Sequence, residues 1–156
     1  MFVTAAALLA ACGDDDENGD AGTDVDPATA TLVYRFNDAS VPPEYHRSYT
    51  LTADSESAHL VVDSYGDVLH DVTEPNDADR WQRVLDASEA LSNDTDVTTE
   101  ACAGGTSEEL QVLDGQDQAV IDVFVDHCGS PEGPDLDGVV AEVLALFDLD
   151  ALLATE

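Results

Sequence analysis

Asp67-Val68-Leu69-His70-Asp71-Val72-Thr73-Glu74-Pro75-Asn76-Asp77-Ala78-Asp79-Arg80-Trp81-Gln82-Arg83-Val84-Leu85-Asp86-Ala87-Ser88 is the stretch in which the chain changes period. Up to Val72 it reads as an extended segment of strand formers and short polar residues. Beyond Glu74-Pro75-Asn76, the apolar residues Trp81, Val84, Leu85 and Leu91 recur at i, i+3, i+4 and i+10, with the small Ser88 at i+7. This spacing predicts a strand over 67–72 and an amphipathic helix over 77–91, its stripe interrupted by Ser88. Asn76 or Asp77 supplies the N-cap, acids fill the first turn, and Trp81 is the anchor into the sheet.

The sequence ahead of this switch is all strand. Residues 31–36 (Thr-Leu-Val-Tyr-Arg-Phe) alternate and stop at Asn37-Asp38. Val41-Pro42-Pro43-Glu44 is extended or turning, because neither proline can donate to a ladder. Strands are expected over 47–53 and 58–63, and Ser64-Tyr65-Gly66 makes the turn into 67–72, with Gly66 free to take positive φ. Short consecutive strands with tight turns predict an antiparallel meander. Behind the helix, a loop over 93–105 leads to strands over 109–113 and 119–126. These pair across Asp114-Gly115-Gln116-Asp117, with Ile121, Val123 and Val125 on one face and Asp122 and Asp126 on the other. Leu136, Val139, Val140, Val143, Leu144 and Phe147 mark a second helix over 135–153, capped by Asp135 after Pro134. Four strands, a helix, two strands and a helix, without βαβ alternation, predict an α+β fold: an antiparallel sheet of about six strands with two helices packed on one face. The order of strands in the sheet stays open.

Composition bounds the function. The chain has four Arg, no Lys and 35 acids, a formal net charge of −31. Residues 12–26 hold seven of those acids, so the excess belongs to the part that folds. Such a domain repels itself, and the repulsion fades as the Debye length falls from about 10 Å at 0.1 M salt to about 3 Å at 1 M. Without a basic patch, nucleic acid is excluded as a partner, and so is an anionic membrane surface bound by charge. The absence of Lys, the 24 Asp against 11 Glu, and a core of Ala, Val and Leu with one Ile resemble proteins of extreme halophiles. The competing reading of the charge is a divalent-cation binder whose carboxylates are the ligands.

Leu9-Ala10-Ala11-Cys12 closes an apolar run over 2–11 that is signal-sized and too short to span a bilayer. No Lys or Arg precedes the run; an upstream start would supply that basic region. The four residues resemble a bacterial lipobox, which implies that 1–11 is a signal peptide and that Cys12 becomes the acylated first residue of the mature chain. The alternative is a buried Cys in an N-terminal helix. Residues 12–30 carry dense negative charge and too little apolar surface to order themselves, and read as an acidic disordered tether. An acidic run after the acylated Cys also resembles the surface-export signal of some Bacteroidota lipoproteins. One domain is expected over 31–156.

With Cys12 used as the anchor, Cys102 and Cys128 remain, and a single pairing is possible. In an oxidising envelope, a disulfide closing a loop of about 27 residues stabilises by about 3 kcal/mol. Asn93-Asp94-Thr95 matches the N-glycosylation acceptor pattern. Gly104-Gly105-Thr106-Ser107 has the glycines of an anion nest but precedes a strand and lacks the P-loop lysine, so it reads as a turn. Asp135-Leu136-Asp137-Gly138 fails as a calcium loop, because Leu144 occupies the place of the twelfth-position acid. His46, His59, His70 and His127 lack zinc-site spacing, and no Gly-x-Ser-x-Gly elbow exists. No metal, cofactor or catalytic set is assigned.

The densest group of functional side chains is Pro42-Pro43-Glu44-Tyr45-His46-Arg47-Ser48-Tyr49. If 45–49 is extended, Tyr45, Arg47 and Tyr49 share one face and His46 and Ser48 the other. A guanidinium between two phenols suits a carboxylate or phosphate ligand. The competing reading pairs Arg47 with a nearby acid and lays the Tyr rings over the sheet. This octapeptide, with Cys102-Ala103-Gly104-Gly105-Thr106-Ser107 and Cys128-Gly129 behind it, resembles a group of uncharacterised bacterial lipoproteins. That resemblance implies the anchor and the disulfide and transfers no activity. The expected function is a non-enzymatic binding module, lipid-anchored in the cell envelope, periplasmic or surface-exposed, and adapted to high salt. Its partners would be the membrane, through the anchor, and a protein or small-molecule ligand at Tyr45, His46, Arg47 and Tyr49. The alternatives are a small envelope hydrolase using His46 or His127 and the carboxylate-based cation binder.

Overall fold

The computed structural model describes residues 25–91, 104–127 and 133–155. The signal-like run, Cys12, Asn93-Asp94-Thr95, Cys102 and Cys128 lie outside the described residues. Among those described, no helix is long and apolar enough to cross a membrane.

The chain forms β1 (Thr31–Asn37), β2 (Ser48–Ala53), β3 (Ser57–Ser64), β4 (Asp67–Pro75), α1 (Ala78–Glu89), β5 (Thr106–Leu113), β6 (Ala119–His127), α2 (Leu136–Leu144) and a short α3 (Leu149–Leu152). The six strands make one antiparallel sheet in the order β4-β3-β2-β1-β5-β6. β1 therefore joins the meander β1–β4 to the hairpin β5–β6, and α1 carries the chain back across the sheet.

Strict alternation decides which face is dry. Leu32 and Tyr34, Leu51 and Ala53, Ala58, Leu60 and Val62, Leu110 and Val112, and Ile121, Val123 and Val125 all point to one side and are buried. The register sets them opposite one another, as in Tyr34 between Leu51 and Leu110. Trp81, Val84 and Leu85 of α1 and Leu136, Val139, Val140 and Val143 of α2 close over that side, so the α+β fold with one helical layer on one face is the fold observed. The opposite face meets water, which an antiparallel sheet tolerates.

Local chemistry accounts for the ends of the helices. Asp77 caps α1 by accepting the Arg80 N–H, and Asp135 caps α2 by accepting that of Gly138. Ser88, which interrupts the apolar stripe, is buried and satisfied, its hydroxyl donating to the Val84 carbonyl at 2.8 Å. The single helix expected over 135–153 is broken. Leu146 and Phe147 bond three residues back, to Val143 and Leu144, which turns Phe147 into the core. The Asp148 carboxylate then captures the Ala151 N–H and starts α3. An Asp competing for backbone donors favours a cap over a helix interior, so no Gly or Pro is needed for the break.

The chain packs before Thr31: Asp26 accepts from the Ala28, Thr29 and Ala30 amides, and Ala30 is buried. Trp81 ties down this entry segment, its indole N–H donating to the Pro27 carbonyl at 2.8 Å while the ring is fully buried. Trp81→Ala is expected to cost about 3–5 kcal/mol. Trp81→Phe, which keeps most of the ring but loses the N–H, should cost about 1 kcal/mol for the hydrogen bond. Urea unfolding of the two variants should show midpoints in that order with unchanged slopes.

Candidate functional site

The groups singled out in the sequence gather at one end of the sheet. Phe36 lies opposite Tyr49, and Ser48 opposite Asp63, so the β1–β2 loop over 38–47 and the β3–β4 turn are neighbours. The chain enters β1 at the other end, where Leu32 faces Ala53.

The loop is shaped by one carboxylate. Asp38 accepts from the Ala39 amide at 2.7 Å and from the Arg47 amide at 2.9 Å, and its own N–H goes to the Ser48 hydroxyl at 3.0 Å. The Pro42 carbonyl accepts from the Tyr45 and His46 amides, so of the two readings for 41–44 the turn is the one observed; it runs on to His46, and β2 starts at Ser48 instead of residue 47. Tyr45, Arg47 and Tyr49 consequently do not form one face. Tyr45 is exposed, whereas Tyr49 is buried and stacked on Phe36 with ring centroids 5.2 Å apart.

His46 is 5 % exposed, lies parallel to the Tyr65 ring at 3.9 Å, and sets Nε2 3.3 Å from the Ser48 hydroxyl. Tyr65 is held in turn by donating to the Val41 carbonyl at 2.6 Å, and Ser64 by donating to that of Pro43 at 2.8 Å. Arg47 forms no ion pair among the described residues, although Arg35, Arg80 and Arg83 pair with Glu109, Asp77 and Glu142. Its Nη1 donates to the His46 carbonyl at 2.7 Å, and its Nε, like His46 Nδ1, is buried without a protein partner. His46 is buried and Arg47 is turned back onto the His46 carbonyl, so both side chains brace the loop.

A second polar group lies at the same end, on the helical side, and only His127 in it was anticipated. His127 Nε2 meets the buried Glu108 carboxylate at 3.1 Å, and the Tyr34 hydroxyl donates to Asp137 of α2 at 2.7 Å. The missed signal is periodic: Glu108 precedes Leu110 and Val112 at the inward positions of β5, a charge where the pattern calls for an apolar residue. Burial, then the Asp137 charge, lifts the Glu108 carboxyl above the usual glutamate range, while His127 pulls it back. Burial raises Tyr34 far above an ordinary phenol, with Tyr49, the Asp137 hydrogen bond and acidic neighbours adding to it. Burial, then Asp137, pushes Tyr49 up to about 12, so both phenols stay protonated.

Glu108 and His127, with Gly133, Pro134, Asp135, Leu136 and Asp137, line a cavity of about 290 Å³. Among the described residues of that lining there is no hydroxyl, thiol or amine nucleophile. His127 ends β6, whereas His46 lies in the loop before β2, and β1 and β5 separate those two strands in the sheet. Among the described residues no group of three or more His, Cys, Asp or Glu is arranged to hold a metal ion. Comparison with protein-family models, curated proteins and solved structures finds no match.

Because Glu108 is raised in the folded state, the stability associated with its protonated form is present below its unfolded value and lost as pH rises through the folded one. Glu108→Gln keeps the shape and removes the charge. Its thermal midpoint should therefore exceed the wild type's at pH 8, by about 1 kcal/mol equivalent, and the difference should shrink as the pH falls toward about 4. A difference independent of pH would mean that the Glu108 charge carries no cost.

Proposed function

We propose that this chain is a lipid-anchored protein of the cell envelope whose domain is a non-enzymatic binding module adapted to high salt. Cys12 carries the anchor, the acidic residues after it form the leash, and the domain projects from the leash. The observation that carries the reading is the polarity of the sheet. The chain enters at the end where Leu32 faces Ala53, while the Tyr45–Tyr49 region and the Tyr65 turn lie about 20–25 Å away at the other, the length of a seven-residue strand. A domain tethered by one end and carrying its distinctive side chains at the other is arranged to meet a partner away from the membrane. Binding is favoured over hydrolysis at the octapeptide because His46 lies buried under Tyr65.

Two further features fit an exported, salt-adapted protein. In the sequence, Cys102 and Cys128 are the two cysteines left once Cys12 carries the anchor, which allows one pairing. Of the four Arg, three pair with acids, which leaves a large surplus of carboxylates to face solvent.

In a bacterial host, Cys12→Ser should abolish acylation and release the protein from the membrane fraction; unchanged partitioning would sink the anchor. Salt adaptation is tested by thermal unfolding of the unacylated Cys12→Ser chain between about 0.1 and about 4 M NaCl, against millimolar calcium at low salt. The midpoint should climb steadily with NaCl and gain little from calcium. A domain already stable at low salt that jumps with calcium would instead identify bound cations as the role of the acids.

A further inference from the structure

We infer that the corner built by Tyr45, Tyr65, Val68 and Leu69 is the docking surface of the module, and that its occupant is a protein segment presenting an apolar side chain flanked by Lys or Arg. The inference rests on the binding-module reading and names the site and the partner's chemistry.

Five large hydrophobic side chains stand exposed among the described residues, and four of them are here: Tyr45 at 57 %, Tyr65 at 56 %, Val68 at 60 % and Leu69 at 40 %. Pro42 and Pro43, also exposed, adjoin them. Clustered exposed apolar groups mark interaction sites more than scattered ones do, and Tyr is enriched at binding hot spots.

The corner is also stiff. Tyr65 and Gly66 form the two-residue β3–β4 turn, both at positive φ, 53° and 92°. A bulky residue rarely adopts that conformation, where Gly or Asn carries little strain. It persists here because the Tyr65 hydroxyl is fixed on Val41, its ring lies on His46, and Ser64 is fixed on Pro43. Leu69 is the extra residue of a β-bulge, since Val62 pairs with His70 and Asp63 with Val68. A surface ordered before binding loses little entropy on contact.

Charge selects the occupant. Glu44, Asp63 and Asp67 rim the corner, and its one Arg, Arg47, is half-buried and turned onto the His46 carbonyl. A second copy of a chain at −31 would meet an acidic rim with an acidic rim. An anionic bilayer is repelled for the same reason, and the corner lies at the end opposite the leash. A basic protein segment with an apolar anchor satisfies both the patch and the rim.

The test is selection of a displayed random-peptide library on the full-length protein in detergent, followed by affinity measurement on the wild type and on Tyr45→Ser/Val68→Ser. Among the described residues neither side chain makes a hydrogen bond or ring contact, and circular dichroism of the variant checks that it folds. Enriched peptides should carry an apolar residue flanked by Lys or Arg and lose at least tenfold in affinity for the variant. Enrichment of peptides without basic residues overturns the partner chemistry. Enriched peptides that bind the variant equally well overturn the corner while leaving a binding module standing, and no enrichment at all overturns both. Self-association, or binding to phosphatidylcholine vesicles that the double substitution weakens, would assign the corner to a second copy or to a lipid surface and overturn the protein partner.

Discussion

Tyr34 joins the two layers of the molecule. It is fully buried in the central strand, between Leu51 of β2 and Leu110 of β5, and its hydroxyl donates at 2.7 Å to Asp137 in the first turn of α2. Those partners are about 17, 76 and 103 residues away in the chain, so one side chain closes the meander, the hairpin and the helical layer onto each other. A hydrogen bond to a charged acceptor contributes about 1.5–3 kcal/mol, and here it also fixes where the α2 N-terminus sits on the sheet. Because Asp137 is held there, its charge reaches Glu108 and Tyr49 and shifts both. The polar end of the domain is thus a consequence of how α2 is docked.

The surface obeys a different constraint. A domain whose only cations besides His are four Arg cannot neutralise its carboxylates internally, and its ion pairs are correspondingly selective. Arg35 bridges β1 to Glu109 on β5, and Arg83 bridges α1 to Glu142 on α2. Both link elements that are distant in sequence, whereas Arg80 pairs locally with its own helix cap, Asp77. Exposed pairs of this kind contribute little each and weaken in salt. The same salt weakens the repulsion among the surplus acids, and the proposed salt adaptation follows if that repulsive sum is the larger. Apolar burial on the single dry face, which does not depend on charge, is left to hold the sheet and helices together.

What was legible in the sequence was whatever depends on local period and local chemistry. Alternation gave β1 as a strand and the apolar face of β6, the 3.6-residue spacing gave α1, and Asp77 and Asp135 were readable as caps. What was not legible depends on pairing over distance. Nothing local says that β1 takes β5 as its second neighbour, and without that register Glu108 cannot be placed against His127 or Tyr34 against Asp137. The 38–47 loop failed for a subtler reason. Its prolines correctly excluded a regular ladder, but the Asp38 carboxylate and the Pro42 carbonyl bend the chain back on itself, and the bend sends Tyr45 outward and Tyr49 inward. The break before α3 is of the same kind: apolar spacing continued through it, and a single Asp cap decided otherwise.

The loop and the turn at the far end explain each other. A Tyr at positive φ costs about 1 kcal/mol or more in isolation, and a turn of this shape with Asn or Gly in its place would relieve the cost. The strain is offset by contacts that only a Tyr at that position makes: a hydroxyl long enough to reach Val41 and a ring flat enough to cover His46. Those contacts in turn pin the proline loop, which has no ladder of its own and would otherwise rest on the Asp38 carboxylate and the Ser64 hydroxyl. His46 is buried because Tyr65 covers it, and Tyr65 stays over half exposed because the hairpin tip extends past the loop it holds down. Local backbone strain, a buried imidazole and a rigid apolar corner are therefore one arrangement, and the imidazole that looked like the chemistry of the octapeptide serves as the floor beneath the ring that faces outward.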